Sequence, residues 1–184
     1  GVGVGDEEIN EEDDQSVTPV DQESILSEAV TSNIERLALT WHYRSRDETL
    51  IAFSNAEYYE GKLASFPTPP VHAAQAGISV RHVGGVFERG SRSANRVNTA
   101  EANAILNEVK RRLARVRPES VGVVTFNIQQ RDLIADLLED CDAPAVREAL
   151  KREEEPLFVK NLENVQGDER DVILFSTAFS KRLG

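Results

Sequence analysis

A glycine flanked by polar residues, in the segment ENVQGDERD (163–171), lies between two apolar runs and offers groups that could bind a ligand. Gly167 lets the backbone turn and approach a ligand closely, while Gln166 and Glu169 could reach sugar hydroxyls or phosphate-bound water. A polar turn without a ligand would have the same composition. Four acids lie in this segment: Glu163, Asp168, Glu169 and Asp171. They could instead ligate Mg²⁺ as in a nuclease.

A tyrosine and an arginine, Tyr43 and Arg44, stand side by side in WHYRSR (41–46). The segment follows a short β-branched and apolar run and precedes a helical pattern. Taken alone, the pair is better explained by a packed tyrosine and an arginine that caps a helix or is solvated than by a functional site. Its interpretation therefore depends on the rest of the chain.

The elements that must position these residues alternate between apolar strands and amphipathic helices, which is typical of parallel α/β sheets covered by helices. Asp21 is a candidate cap for the first helix, and Asn98 with Glu101 forms a capping-box pattern before the third. The charges of residues 141–156 favour a solvated helix face. The patterns predict strands at 36–41, 78–83, 121–126, 157–162 and 171–179, and helices at 21–30, 47–59, 99–116 and 128–140.

Ligands of such sheets collect at the carboxyl ends of the strands. In this chain those ends are WHYRS, TFN (125–127) and ENVQGDERD. The two candidate sites and the TFN segment are therefore expected at one edge of the sheet.

The charge of the chain is unevenly distributed. The net charge is -11, but of 32 acids 10 lie in residues 1–30, which hold no Lys or Arg, and the other 22 stand against 21 bases. Residues 1–20 are therefore expected to form a flexible acidic arm. No apolar run reaches the roughly 18 residues of a membrane span, and the single cysteine, Cys141, favours a reducing, cytoplasmic compartment. The absence of methionine predicts a fragment of a longer protein.

In order and rough spacing, WHYRS, VGVVTFNIQQ and VQGDERDVILFSTA resemble motifs of the second motor domain of superfamily 1 helicases, in the branch that includes the nonsense-mediated-decay helicase. The usual forms there are Gln-Tyr-Arg, Ile-Thr-Pro-Tyr with a following Gln, and Gln-Gly-x-Glu-x-Asp. ESILSEA, HYRSRDETLIAFSN, FPTP and LFVKNLENVQGDERDV are similar to a bacterial subfamily of large, multidomain helicase-like proteins. The chain departs from the branch at His42, where Gln is commoner, and at TFN.

This resemblance implies a three-layer RecA-like α/β fold of the P-loop NTPase type, with a mostly parallel sheet and helices on both faces. Residues 21–184 would be a second RecA-like motor domain that is incomplete at its C-terminal end. Such a domain supplies part of an ATP-dependent helicase or translocase that acts on single-stranded DNA or RNA. Its partner would be the first RecA-like domain of the same parent chain.

The resemblance also implies roles for single residues. Arg44 would be the arginine finger that reaches the γ-phosphate of ATP, and Tyr43 would stack on the adenine. Ribose and phosphate-proximal contacts would come from Gln166, Gly167 and Glu169. Contacts with the nucleic-acid backbone would come from Thr125, Ser176 and Thr177.

The groups that hold phosphates and magnesium are absent from the sequence. It contains no G-x-x-x-x-G-K-[ST] loop and no Asp-Glu strand end, and no final arginine motif follows STAFSKRLG. The chain is thus expected to hold half an ATP site and to be inactive alone, with ATP and Mg²⁺ bound in the full-length parent by the first motor domain. No metal site of its own is predicted, and His72 and His82 lack ligand partners at suitable spacing.

Two further interpretations stay open. The chain could be a degenerate motor half that binds proteins through its acidic arm. A basic cluster could be a solvated helix face or part of a single-strand track. Its members are Arg89, Arg92, Arg96, Lys110, Arg111, Arg112, Arg115 and Arg117.

Overall fold

The computed structural model describes residues 24–35, 37–45, 47–67, 77–89 and 96–180. The chain divides into two compact units, Gly1–Ser79 and Val80–Gly184. The predicted acidic arm and the predicted cap at Asp21 lie outside the described residues.

The first unit holds short elements. The first helix is capped by Ser24, whose hydroxyl accepts from Ser27 N at 3.2 Å. The strand predicted at 36–41 is wrong in extent, because the first two-residue strand pairs only with another of the same length, in parallel. The described elements of this unit are α1 (Ile25–Thr31), β1 (Trp41–His42), α2 (Thr49–Tyr58) and β2 (Ala64–Ser65).

The second unit begins differently from the prediction. The strand expected at 78–83 is wrong: no described strand pairs with these residues, and Val83 O accepts from Gly85 N at 2.8 Å. Alternation alone does not make a strand, because a strand also needs a partner. The loop expected after it instead contributes to an antiparallel pair, β3 (Glu88–Arg89) and β4 (Arg96–Val97).

The rest of the second unit is a mixed α/β fold, as predicted. Its sheet has the order β6-β5-β7, and both neighbours run parallel to β5. The prediction of a parallel sheet with helices is confirmed. The elements are α3 (Thr99–Leu113), β5 (Val121–Thr125), α4 (Ile128–Glu139), α5 (Pro144–Leu150), β6 (Phe158–Asn161) and β7 (Val172–Ser176).

The central strand β5 is buried along its whole length. Val121 and Val123 join one apolar cluster with buried side chains of α3, α4 and α5. On the other face a Cβ at Gly122 would lie 2.7 Å from Phe158 Cε1 and 2.9 Å from Ile173 Cδ1, so only glycine fits there. The Phe158 ring thereby lies close against the strand.

The segment predicted as a charged linker with a solvated helix face contains α5. Proline at its first turn suits a helix start, because the missing N–H would have no partner there. Val146 and Ala149 are buried in the apolar cluster, while Arg147 and Glu148 are exposed. The solvated face is therefore present, but the opposite face of the helix belongs to the core.

Candidate functional site

Tyr43 and Arg44 lie at a turn directly after β1. Ser45 N donates to His42 Nε2 at 3.2 Å, and the Ser45 hydroxyl lies 2.9 Å from the same nitrogen. The backbone donor requires Nε2 to act as acceptor, which places the ring proton on Nδ1. Both residues between His42 and Ser45 are exposed, Tyr43 by 80%. His42 thus closes the turn that presents the Tyr-Arg pair.

The loop that carries Gln166, Gly167 and Glu169 follows a 3-10 turn after β6. Gly167 has φ +87, a conformation that side chains rarely adopt, and no atom lies within 4 Å of a Cβ built there. Glycine is thus required by the backbone and leaves open space above the turn. Gln166 and Glu169 are exposed beside it.

Two anchors fix this loop to β6. Lys160 Nζ donates to Asp168 Oδ2 at 2.6 Å, and Asp168 N donates to Val165 O at 3.1 Å. Arg170 donates to Pro156 O through Nε at 3.1 Å and Nη2 at 2.8 Å. A fixed loop presents its exposed groups in one arrangement, which favours binding.

Arg170 and Lys160 also flank one aromatic ring. Their cationic groups lie 4.8 Å and 5.2 Å from the centroid of the Phe158 ring. Such cation–π contacts add to the anchoring of the loop. Phe158 therefore links the packing against Gly122 to the geometry of the candidate site.

The acids proposed for a nuclease site are engaged separately. Asp168 pairs with Lys160, and Asp171 Oδ2 accepts from Ser120 N at 3.0 Å and from Ser120 Oγ at 3.1 Å. Within the described ranges no three His, Cys, Asp or Glu side chains are placed to hold a metal ion. The arrangement does not fit a Mg²⁺ site built from Glu163, Asp168, Glu169 and Asp171.

The three residues predicted to touch a nucleic-acid backbone differ in exposure. Thr125 is fully buried, with its hydroxyl donating to Asn127 O at 2.8 Å, and Ser176 is fully buried, with its hydroxyl accepting from Gln130 Nε2 at 3.1 Å. Thr177 is exposed. The strand contacts stay predictions, and Thr177 is the residue of the three that the structure leaves accessible.

A buried network around Gln130 was not anticipated. Its Oε1 accepts from Asn98 N at 2.8 Å, and its Nε2 donates to Asn98 O at 3.2 Å as well as to Ser176. One amide thus joins the starts of α3 and α4 to the end of β7. The signal in the sequence is the glutamine that follows TFN in the first turn of a helix.

The capping box expected at α3 forms only in part. Asn98 Oδ1 accepts from Glu101 N at 3.1 Å as expected. The Glu101 carboxylate does not accept a hydrogen bond from Asn98 N, because that N–H donates to Gln130 Oε1. It accepts instead from Ala178 N, at 3.2 Å and 3.1 Å. Glu101 therefore links the first turn of α3 to the segment after β7.

Ala178 adopts a strained conformation in that segment. Its φ is +60, and Phe179 N donates to Thr177 O at 2.7 Å, which together define a γ-turn with a positive φ at its centre. Such turns are rare and strained, and non-glycine residues in this region concentrate at functional sites. Asn98 Nδ2 holds Ala178 O at 3.3 Å, so side chains of α3 bond both backbone groups of Ala178.

Three members of the basic cluster, in and just after α3, form ion pairs, and Arg92 of that cluster lies outside the described residues. Glu108 pairs with Arg111 and Arg112, and Glu119 pairs with Arg112 and Arg115. The hydrogen bond from Arg111, with a second from Arg112, lowers the pKa of Glu108 to about 2. These ion pairs favour the interpretation of a solvated helix face.

The predicted nucleotide contacts are divided between the two units. Tyr43 and Arg44 belong to the first, and the Gln166–Glu169 loop belongs to the second. Of the predicted histidines, His82 is exposed and His72 lies outside the described residues. None of the helices in the described ranges has the length and apolarity needed to cross a membrane.

Comparison with known proteins supports a helicase-like domain. The chain is 35% identical over 152 residues to an uncharacterized ATP-dependent helicase of Mycoplasma genitalium and 32% identical over 151 residues to its homolog in Mycoplasma pneumoniae. Each alignment covers 79% of this chain, which spans 13% of the length of either relative. The sheet and helices are those of a RecA-like, P-loop NTPase fold. Because residues 22–183 match the AAA domain family, the chain belongs to that family.

Proposed function

We propose that the chain is the second RecA-like motor domain of a longer ATP-dependent helicase or translocase and supplies half of its ATP site. The observation that carries this proposal is the exposed Tyr43–Arg44 turn, closed by His42 and Ser45. Relatives named as ATP-dependent helicases support it, as does the helicase-like order of the motifs.

Each group of the half site has a distinct role in this proposal. Tyr43 stacks on the adenine, and Arg44 offers a planar fork to the terminal phosphate as charge develops there. Gln166 and Glu169 contact the ribose and the phosphate side, where Gly167 leaves open space. In this proposal the first motor domain of the parent holds the Mg²⁺ and carries the phosphate-binding loop.

The test is steady-state ATP hydrolysis by the full-length parent. Arg44→Ala should lower kcat by about 10³-fold with a smaller change in KM, because the arginine acts on charge that appears in the transition state. Arg44→Lys keeps the charge but not the fork and should remain well below the unmodified rate. Tyr43→Ala should mainly raise KM.

Near-normal turnover by Arg44→Ala would refute the arginine-finger role and return Arg44 to a surface residue. The isolated chain should show no hydrolysis. Turnover by a purified sample that disappears with Arg44→Ala would refute the half-site proposal.

A further inference from the structure

Two arginines face each other across the β3–β4 pair. Arg89 lies directly opposite Arg96, and both are exposed. Like charges directly opposite each other destabilise a strand pair. Neither arginine makes an ion pair with a residue in the described ranges, in contrast to Arg111 in α3 and Arg115 just after it. This pair is thus complementary to an anion from outside the unit.

Two aromatic rings adjoin the same strand pair. Phe87 directly precedes β3, and its ring centroid lies 4.9 Å from that of Phe179, with the planes tilted by 43°. Phe87 N donates to Ser180 Oγ at 2.8 Å, which fixes this contact. Phe179 is still 58% exposed, so one side of the aromatic pair is open to a ligand.

The spacing along the chain brings the rings near the charges. Phe87 precedes Arg89 by two residues, and residues two apart in a strand share a side at a distance of about 7 Å. The intervening Glu88 has its Oε1 engaged by the Thr99 hydroxyl at 2.7 Å. The carboxylate of Glu88 thus accepts a hydrogen bond from Thr99 and not from Arg89 or Arg96.

The strained turn at Ala178 sets the position of Phe179. Glu101 and Asn98 hold both backbone groups of Ala178, the residue directly before Phe179. An aromatic residue kept exposed by a strained, hydrogen-bonded turn has a defined orientation before any ligand binds. Preorganisation of this kind lowers the entropic cost of binding.

We propose that Phe179 with Phe87, and Arg89 with Arg96, form a subsite for single-stranded nucleic acid. A base stacks on Phe179 and the two guanidinium groups hold a neighbouring phosphate, the combination by which single strands are bound without sequence preference. This inference rests on the proposed function. Exposed aromatic rings alone would suit a protein partner equally, and the two arginines, which form no ion pair with the described residues, favour the polyanion.

The experiment measures binding of the 184-residue chain to a fluorescein-labelled oligothymidylate by anisotropy over a range of salt concentrations. Arg89→Ala/Arg96→Ala should reduce the slope of log K against log salt by about 1.4, as expected for two lost phosphate contacts. Phe179→Leu keeps an apolar side chain but cannot stack, and it should weaken binding about tenfold at an unchanged slope.

Two controls match these variants. Arg111→Ala/Arg115→Ala removes the same charge from arginines that are already paired, and Phe53→Leu changes another exposed phenylalanine that belongs to no proposed site. Both controls should bind as the unmodified chain does. The proposal is overturned if the unmodified chain shows no salt-dependent binding of the oligothymidylate. It is also overturned if the control variants lose as much affinity as the test variants, or if Phe179→Leu binds with unchanged affinity. The Arg44 kinetics in the parent do not use these residues, so either proposal can fail alone.

Discussion

Replacing Gln130 by alanine should destabilise the second unit by about 3 kcal/mol. The side chain is fully buried and holds both backbone groups of Asn98, a residue that is 2% exposed. Alanine leaves that N–H without a partner, although Asn98 O keeps its hydrogen bond from Ala102 N at 3.0 Å, and each buried unpaired group costs about 1–3 kcal/mol. It also removes the donor to the Ser176 hydroxyl.

The assay is thermal unfolding followed by circular dichroism. For a chain of this size the loss corresponds to a Tm lower by about 10 °C. Gln129→Ala is the matched control, because Gln129 lies in the same helix, is only partly buried, and its side chain makes no hydrogen bond with the described residues. It should change stability by less than about 0.5 kcal/mol.

Gln130→Leu separates hydrogen bonding from packing. Leucine fills most of the space of glutamine but cannot bond to Asn98, so this variant should lose nearly as much stability as Gln130→Ala. If Gln130→Leu were as stable as the unmodified chain, or if Gln129→Ala were equally harmful, the network would not be what holds the start of α3.

Three other variants test other parts of the structure. Glu108→Gln should make the free energy of unfolding less dependent on pH in the acid range. The hydrogen bond from Arg111 lowers the pKa of Glu108 from 4.5 to about 2, so the stabilisation by this carboxylate is complete above pH 4.5 and is lost as the pH falls towards 2. Urea unfolding across that range checks this, and identical slopes would contradict it. Gly122→Ala should cost about 1–3 kcal/mol by overpacking against Phe158, and Phe158→Leu in the same chain should recover part of the loss in urea unfolding. If Gly122→Ala alone left the urea midpoint of unfolding unchanged, β5 would be able to shift and accommodate the added methyl group. In the parent, His42→Gln should keep the hydrolysis rate, since an amide oxygen can accept from Ser45 N, whereas His42→Ala should lower it; the reverse order would argue against the turn.

The sequence was sufficient for the sheet of the second unit. Continuous apolar runs at 121–126 and 171–179 became β5 and β7, and helical spacing gave α3 and α4 within a few residues, because these segments are buried against each other. The strand predicted at 78–83 was wrong, because apolar and polar residues alternate there but no described strand pairs with this segment. It also missed the burial of α5, since the charges of that segment conceal its two buried residues, Val146 and Ala149.

For the candidate site, the motifs identified segments but not the roles of their side chains. The Tyr43–Arg44 turn and the glycine at position 167 suit the predicted contacts. The burial of Ser176 could not be predicted from the sequence, because its hydroxyl bonds to Gln130, which lies 46 residues away in the chain. The strain at Ala178 has no local signature, since Glu101 imposes it from 77 residues away.

The strand order β6-β5-β7 has a consequence for the time course of folding. β5 is synthesised first but lies in the middle, and its residue Val121 pairs with Val172, so both edges of β5 stay open until much of the later chain has emerged from the ribosome. Pairings between segments so distant in sequence form slowly and expose sheet edges to other chains meanwhile. In a nascent chain stopped before β7, the strand β5, all of whose residues are buried in the folded unit, would have an unpaired edge. The completion of β7 is therefore the step that protects the second unit from aggregation.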